Sequence, residues 1–131
     1  MSFQALFYPR SVVVFGSVSP GKLGNILINH LVQWGFTRVF AVNPKGLGLN
    51  NVPGFKKISL ISEDIDLAVI ASPAATVKEI MTDCGEKGVK AAVIISSGFS
   101  EAGNKAGEVE VKEVANRYGI RFIGPNCAGM I

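Results

Sequence analysis

The run SVVVFGSVSPGKLG, residues 11–24, constrains this chain more than any other. It opens with an apolar stretch that does not alternate with polar residues, the pattern of a strand buried on both faces, as in a parallel sheet. Gly16, Pro20, Gly21 and Gly24 then make a loop, and ILINHLVQW reads as a helix. A strand, a glycine-rich loop and a helix in this order place backbone N–H groups and a helix N-terminus around an anion, most often a phosphate.

The rest of the chain repeats the alternation. A helix is expected over 22–34, stopped by Gly35, and a strand over 38–42 that ends in the turn Asn43-Pro44-Lys45-Gly46. A weak third strand is expected over 56–59. A strong strand follows at 66–71, broken by Ser72-Pro73. The helix at 74–87 carries Val77, Ile80, Met81 and Cys84 at a 3.6-residue period and stops at Gly88. A strand at 91–96, a helix at 105–118 with Val109, Val111, Val114 and Ala115, and a short strand at 121–123 complete the pattern. Trp34 and Phe36 read as core, and Glu101, Glu108, Glu110 and Glu113 as a solvated helix face. Strands alternating with helices imply a parallel sheet joined by crossovers. The expected fold is a single α/β domain, a three-layer Rossmann-like doubly wound parallel sheet of five or six strands.

Composition narrows the function classes. At 131 residues the chain is long enough for one domain with a real core. Its apolar runs, LAVIA and AAVII among them, fall far short of the ~20 residues a membrane helix requires. The net charge of +3 suits an anionic small ligand. It is too weak and too dispersed for a nucleic-acid surface. Two cysteines, Cys84 and Cys127, have neither the number nor the spacing of a disulfide framework or a zinc site. No secretion signal is visible, so a cytoplasmic location is expected, with no membrane and no nucleic-acid partner.

Three ligands compete for the loop. The residues Gly16 to Lys22 match GxxxxGK, but Leu23 stands where a P-loop requires Ser or Thr to bind Mg²⁺. A dinucleotide site would place an Asp or Glu after strand two to bind the ribose hydroxyls. Here that position is Asn43, followed by Pro44 and Lys45, which suits a phosphorylated ribose better than plain NAD. NADP and coenzyme A remain.

The segments that follow the loop carry a resemblance. VNPKG, VPGF, DLAVIASPAATV, CGEKGVKAAVIISSGFSE and YGIRFIGPNCAGMI stand in order after it. Together with the loop they resemble the CoA-binding domain of the NDP-forming acyl-CoA synthetases. That family includes the ADP-forming acetyl-CoA synthetases and the α subunit of succinyl-CoA synthetase. IGPNCAG after a strand is the most specific piece.

The resemblance implies coenzyme A as cofactor, with its phosphates on Gly16, Ser17, Pro20, Gly21, Lys22 and Gly24. It implies Lys45, beside Asn43, at the nucleotide end. Ala71, Ser72 and Pro73 would line the adenine and pantetheine, and Ile95, Ser96 and Ser97 would form the next turn. Succinyl-CoA synthetase has an acid where this chain has Ser97. Asn126 would lie near the thiol end, beside Cys127, whose alternative is a small buried thiol.

The resemblance further implies acyl transfer through a phosphohistidine in another domain. The single histidine, His30, falls inside the first helix, a poor place for that role. The chain is therefore expected to be an N-terminal fragment or subunit of a larger enzyme, inactive alone. It would depend on further domains or a partner subunit for the phosphohistidine and the nucleotide site. A non-catalytic CoA- or NAD(H)-binding regulatory module is the alternative. No catalytic residue and no metal site are assigned within the chain.

Overall fold

The computed structural model describes residues 8–95 and 105–124. Six parallel strands form one sheet: β1 Val12–Phe15, β2 Val39–Val42, β3 Gly54–Phe55, β4 Leu67–Ile70, β5 Ala91–Ile94 and β6 Arg121–Ile123. Three helices connect them, α1 Leu23–Gln33, α2 Ala74–Lys87 and α3 Lys105–Tyr118. The strand order is β3-β2-β1-β4-β5-β6, so the chain reverses its direction of travel across the sheet between β1 and β4.

Every residue of β1, β2 and β4 is buried, as non-alternating apolar strands require. Their side chains divide between two faces. Val13, Phe15, Phe40, Ala68 and Ile70 pack under Val77, Met81 and Cys84 of α2 and Val111, Val114 and Ala115 of α3. Val12, Val14, Val39, Ala41 and Val69 pack under Ile28 and Leu31 of α1.

Register fixes where the loops emerge. Phe15 pairs with Val42 on one side and Ile70 on the other, and Ile70 pairs with Ile94. Four strands thus end level, and the loops after them leave from one edge of the sheet. Ser11 ties the opposite end: its hydroxyl donates to the Asp64 carbonyl and accepts from the Asp66 N–H, each at 2.9 Å.

The structure corrects three expectations. The third strand is Gly54–Phe55, and the residues expected to form it turn into a 3₁₀ segment at Ile58–Leu60. The ladder comes from β2 and the residue after it: the Ala41 and Asn43 N–H groups donate to the Pro53 and Phe55 carbonyls. The apolar signal at Ile58 instead marks a plug: that side chain is buried in the core. Trp34 is 69% exposed and lies against His30, with ring centroids 5.6 Å apart. The helix has ended there, so helical spacing no longer predicts a face, and Phe36 packs inward in its place. Val109 is 55% exposed. Two residues before Val111, it lies on the opposite side of α3 from the buried stripe.

Candidate functional site: a cleft at the sheet's switch point

Open α/β sheets bind ligands outside the C-terminal ends of their strands, where the strand order reverses. A cleft of about 540 Å³ occupies that place here. Its walls are the loops after β1, β2 and β4, the segment after β3, and the first turns of α2.

The loop after β1 is held rigidly. Val18 is buried beneath it. Asn25 of α1 donates from Nδ2 to the Val18 carbonyl at 2.8 Å, and Asn29 donates to Asn25 Oδ1 at 3.0 Å. The Ser19 N–H donates to Ser17 Oγ, and the Lys22 N–H donates to the Ser19 carbonyl. Gly24 sits directly under this loop. A Cβ there would lie 2.4 Å from the Ser17 carbonyl oxygen. Across the switch point, a Cβ on Gly16 would meet the Ala71 carbonyl at 3.1 Å. The loops leaving β1 and β4 therefore touch backbone to backbone.

Two helices start at this cleft. Lys22 and Pro73, the residues that precede α1 and α2, both line it. Neither helix has a side-chain cap or an acidic residue in its first turn. Their free N–H groups and dipoles favour an anion. Lys22, Lys45, Lys56 and Lys57 add four cations to the walls. Glu79 and Asp83 of α2 supply the opposing charge. Burial raises the Asp83 carboxyl above its ordinary value and Glu79 raises it further, while Lys57 pulls it back. The arrangement can hold an elongated ligand with an anionic part.

The candidate residues divide accordingly. Gly16, Ser17, Lys22, Asn43, Lys45, Ala71, Ser72 and Pro73 all line the cleft. Pro20, Gly21, Gly24 and Ile95 do not. Pro20 and Gly21 are exposed on the turn, Gly24 supports the loop from below, and Ile95 donates its N–H to the Ile70 carbonyl at 2.9 Å. Ser96, Ser97, Asn126 and Cys127 lie outside the described residues.

Asn43 is 7% exposed, and both ends of its amide are engaged. Its Nδ2 donates to the Leu47 carbonyl and its Oδ1 accepts from the Leu47 N–H, both at 2.9 Å. It shapes the cleft by fixing the turn after β2. His30 is exposed and outside the cleft. Cys84 is buried in the core as expected, and burial, with the Asp83 charge second, pushes its thiol far up, away from reactivity.

Sequence reasoning missed Lys56, Lys57, Thr76, Glu79 and Asp83. The spacing of Thr76, Glu79 and Asp83 places them on one face of α2 and could have found them. The two lysines were hidden by the misplaced third strand. Among the described residues, no group of His, Cys, Asp and Glu could hold a metal ion, and no helix is long and apolar enough to cross a membrane.

Comparison with known proteins shows what the chain is similar to. The model of the family described as the CoA binding domain matches residues 10–131. The chain is 44% identical over 131 residues to the ADP-forming acetate–CoA ligase I of Archaeoglobus fulgidus, covering 98% of this chain and 19% of that protein. It is 41% identical over 140 aligned residues to the α subunit of the corresponding ligase I of Pyrococcus furiosus, covering all of this chain and 30% of that subunit. The apo structure of the dinucleotide forming acetyl-coenzyme A synthetase 1 of Ca. Korarchaeum cryptofilum superposes with a TM-score of 0.88 at 37% identity. That match covers 95% of this chain and 28% of that one. The chain thus spans less than a third of the length of these relatives.

Proposed function

The chain belongs to the CoA-binding domain family, and from that premise we propose that the switch-point cleft holds coenzyme A by its phosphates for an NDP-forming acyl-CoA synthetase. The reaction served is acyl-CoA + ADP + phosphate going to acid + ATP + CoA. The observation that carries the reading is the convergence of two uncapped helix N-termini and the lysines Lys22 and Lys45 on one cleft.

The α1 N-terminus and Lys22 meet the diphosphate, which replaces the missing side-chain cap. Lys45, at the end of β2, meets the nucleotide end. Ala71, Ser72 and Pro73 line the path of the adenine and pantetheine. Ile95, Ser96, Ser97 and Asn126 are further coenzyme contacts in this reading. Within this reading the chain's own groups bind and orient the coenzyme, and the hydrogen-bonded loop 16–22 positions its phosphates.

The phosphoryl group passes through a histidine outside this chain, on a further domain or a partner subunit that also carries the nucleotide site. His30 does not fit that role, being on a helix surface away from the cleft. The acetate–CoA ligases among the relatives, each several times longer than this chain, support a dependence on further segments.

Isothermal titration calorimetry of the 131-residue chain with coenzyme A and with NAD tests the ligand. Coenzyme A should bind, and more tightly than NAD. Tighter binding of NAD, or no heat from coenzyme A at millimolar ligand, would overturn the assignment.

A further inference from the structure

Lysines reach the cleft from three separate segments, those after β1, β2 and β3, and the sheet register makes two of these segments neighbours. β2 ends at Val42 and β3 at Phe55, and these two residues are register partners. The Asn43 N–H donates to the Phe55 carbonyl at 3.1 Å. The chain leaving β2 and the chain leaving β3 therefore start side by side. Lys45 follows the first exit and Lys56 the second, and both line the cleft.

Gly46 joins them. Its φ is +68°, in the region that disfavours a side chain, and a Cβ there would lie 3.1 Å from Lys56 Cγ. The bare backbone at Gly46 gives the Lys56 methylene stem its seat beside the Lys45 loop. Neither Lys45 nor Lys56 makes an ion pair or side-chain hydrogen bond among the described residues. Lys57 differs, because its charge already acts on Asp83. Two like charges held on adjoining loops, with no acid of their own, gain most from a doubly charged anion placed between them.

Position separates that anion from the diphosphate. Lys22 stands at the start of α1, where a diphosphate would sit. The end of β2 faces the adenosine ribose in sheets of this strand order. We infer that Lys56 acts with Lys45 as a two-lysine clamp on the ribose 3′-phosphate, so that Lys56 sets the preference for a 3′-phosphorylated adenosine ligand. This rests on the coenzyme A reading above.

Calorimetry with coenzyme A and with 3′-dephospho-coenzyme A tests the clamp on the full 131-residue chain. The wild type should prefer coenzyme A. Lys56→Gln should weaken coenzyme A binding about tenfold, the lower range for a charge-assisted hydrogen bond, while dephospho-coenzyme A changes less than about twofold. Lys56→Arg should keep most of the preference. Lys78→Gln, which removes a cation paired with Glu110 on the outer surface, should leave both affinities unchanged. Equal weakening of both ligands by Lys56→Gln, or of neither, would overturn the inference while coenzyme A binding stands. A wild type that binds coenzyme A and its dephospho form equally would do the same. A wild type that binds neither would overturn the coenzyme A reading together with the clamp.

Discussion

Asp83 shows how one side chain reports the electrostatics of the cleft wall. Burial is the main reason its carboxyl resists ionisation, Glu79 adds to the effect, Lys57 opposes it and Glu86 adds a little more. The unfolded chain loses this proton near the ordinary value of 3.8, whereas the folded chain holds it to higher pH. The stability that protonated Asp83 contributes is therefore present below 3.8 and lost as pH rises through the raised folded value. At neutral pH the ionised carboxylate weakens the fold. Asp83→Asn should raise the melting temperature at pH 7, through a stability gain of no more than about 0.5 kcal/mol at this partly exposed position. That gain should shrink toward zero at pH 3, where the aspartate is protonated in both states. Thermal melts at the two pH values check it. A lower melting temperature at pH 7 would show that attraction to Lys57 outweighs burial.

Among the elements, the β1–α1 unit depends on a close approach that only glycine allows. Gly24 lies within the first turn of α1, where alanine would ordinarily be favoured by about 1 kcal/mol of helix propensity. The added Cβ would lie 2.4 Å from the Ser17 carbonyl, a backbone atom that cannot swing aside like a flexible side chain. Overpacking of this kind costs about 1–3 kcal/mol. The steric term should win: Gly24→Ala should lower stability by up to about 2 kcal/mol net and weaken coenzyme A binding by shifting Ser17. Urea unfolding and calorimetry measure the two effects. A stabilised variant with unchanged affinity would refute the packing argument.

The β2–β3 unit teaches a different lesson about legibility. VNPKG announced a turn and a cation at the end of a strand, and both are there. Its acid-free position was readable as evidence against NAD. That the Asn43 amide is spent on Leu47 was not readable, because side-chain-to-backbone pairing depends on how the loop closes. Nor was β3 readable. Two residues with a glycine first are too short and too weak a strand signal, and the neighbouring β2 makes them a strand.

At the scale of the whole molecule, the described residues form a ligand cradle at the sheet's switch point. The described residues offer a rigid loop, two helix starts and a lysine-bearing rim. The exposed His30 and the buried Cys84 both lie apart from the cleft. The 131-residue chain should therefore bind coenzyme A yet form no acetyl-CoA from acetate, ATP and coenzyme A. A coupled assay of the purified chain, run beside calorimetry on the same sample, checks this. Turnover would place the phosphoryl-carrying group within the chain.

Sequence by itself determined the class of fold, the order of its strong elements and the place of the glycine-rich loop between the first strand and the first helix. These rest on local physics: non-alternating apolar runs demand burial on both faces, and glycine or proline ends each run where the chain must turn. The likeness carried by IGPNCAG and VNPKG added the coenzyme. Tertiary structure alone decided which residues share the cleft. Register levels the ends of β1, β2, β4 and β5, the strand reversal opens the gap between β1 and β4, and the pairing of β3 with β2 carries Lys56 beside Lys45. No local pattern encodes such neighbours, because residues far apart in the chain meet only through the sheet that joins them.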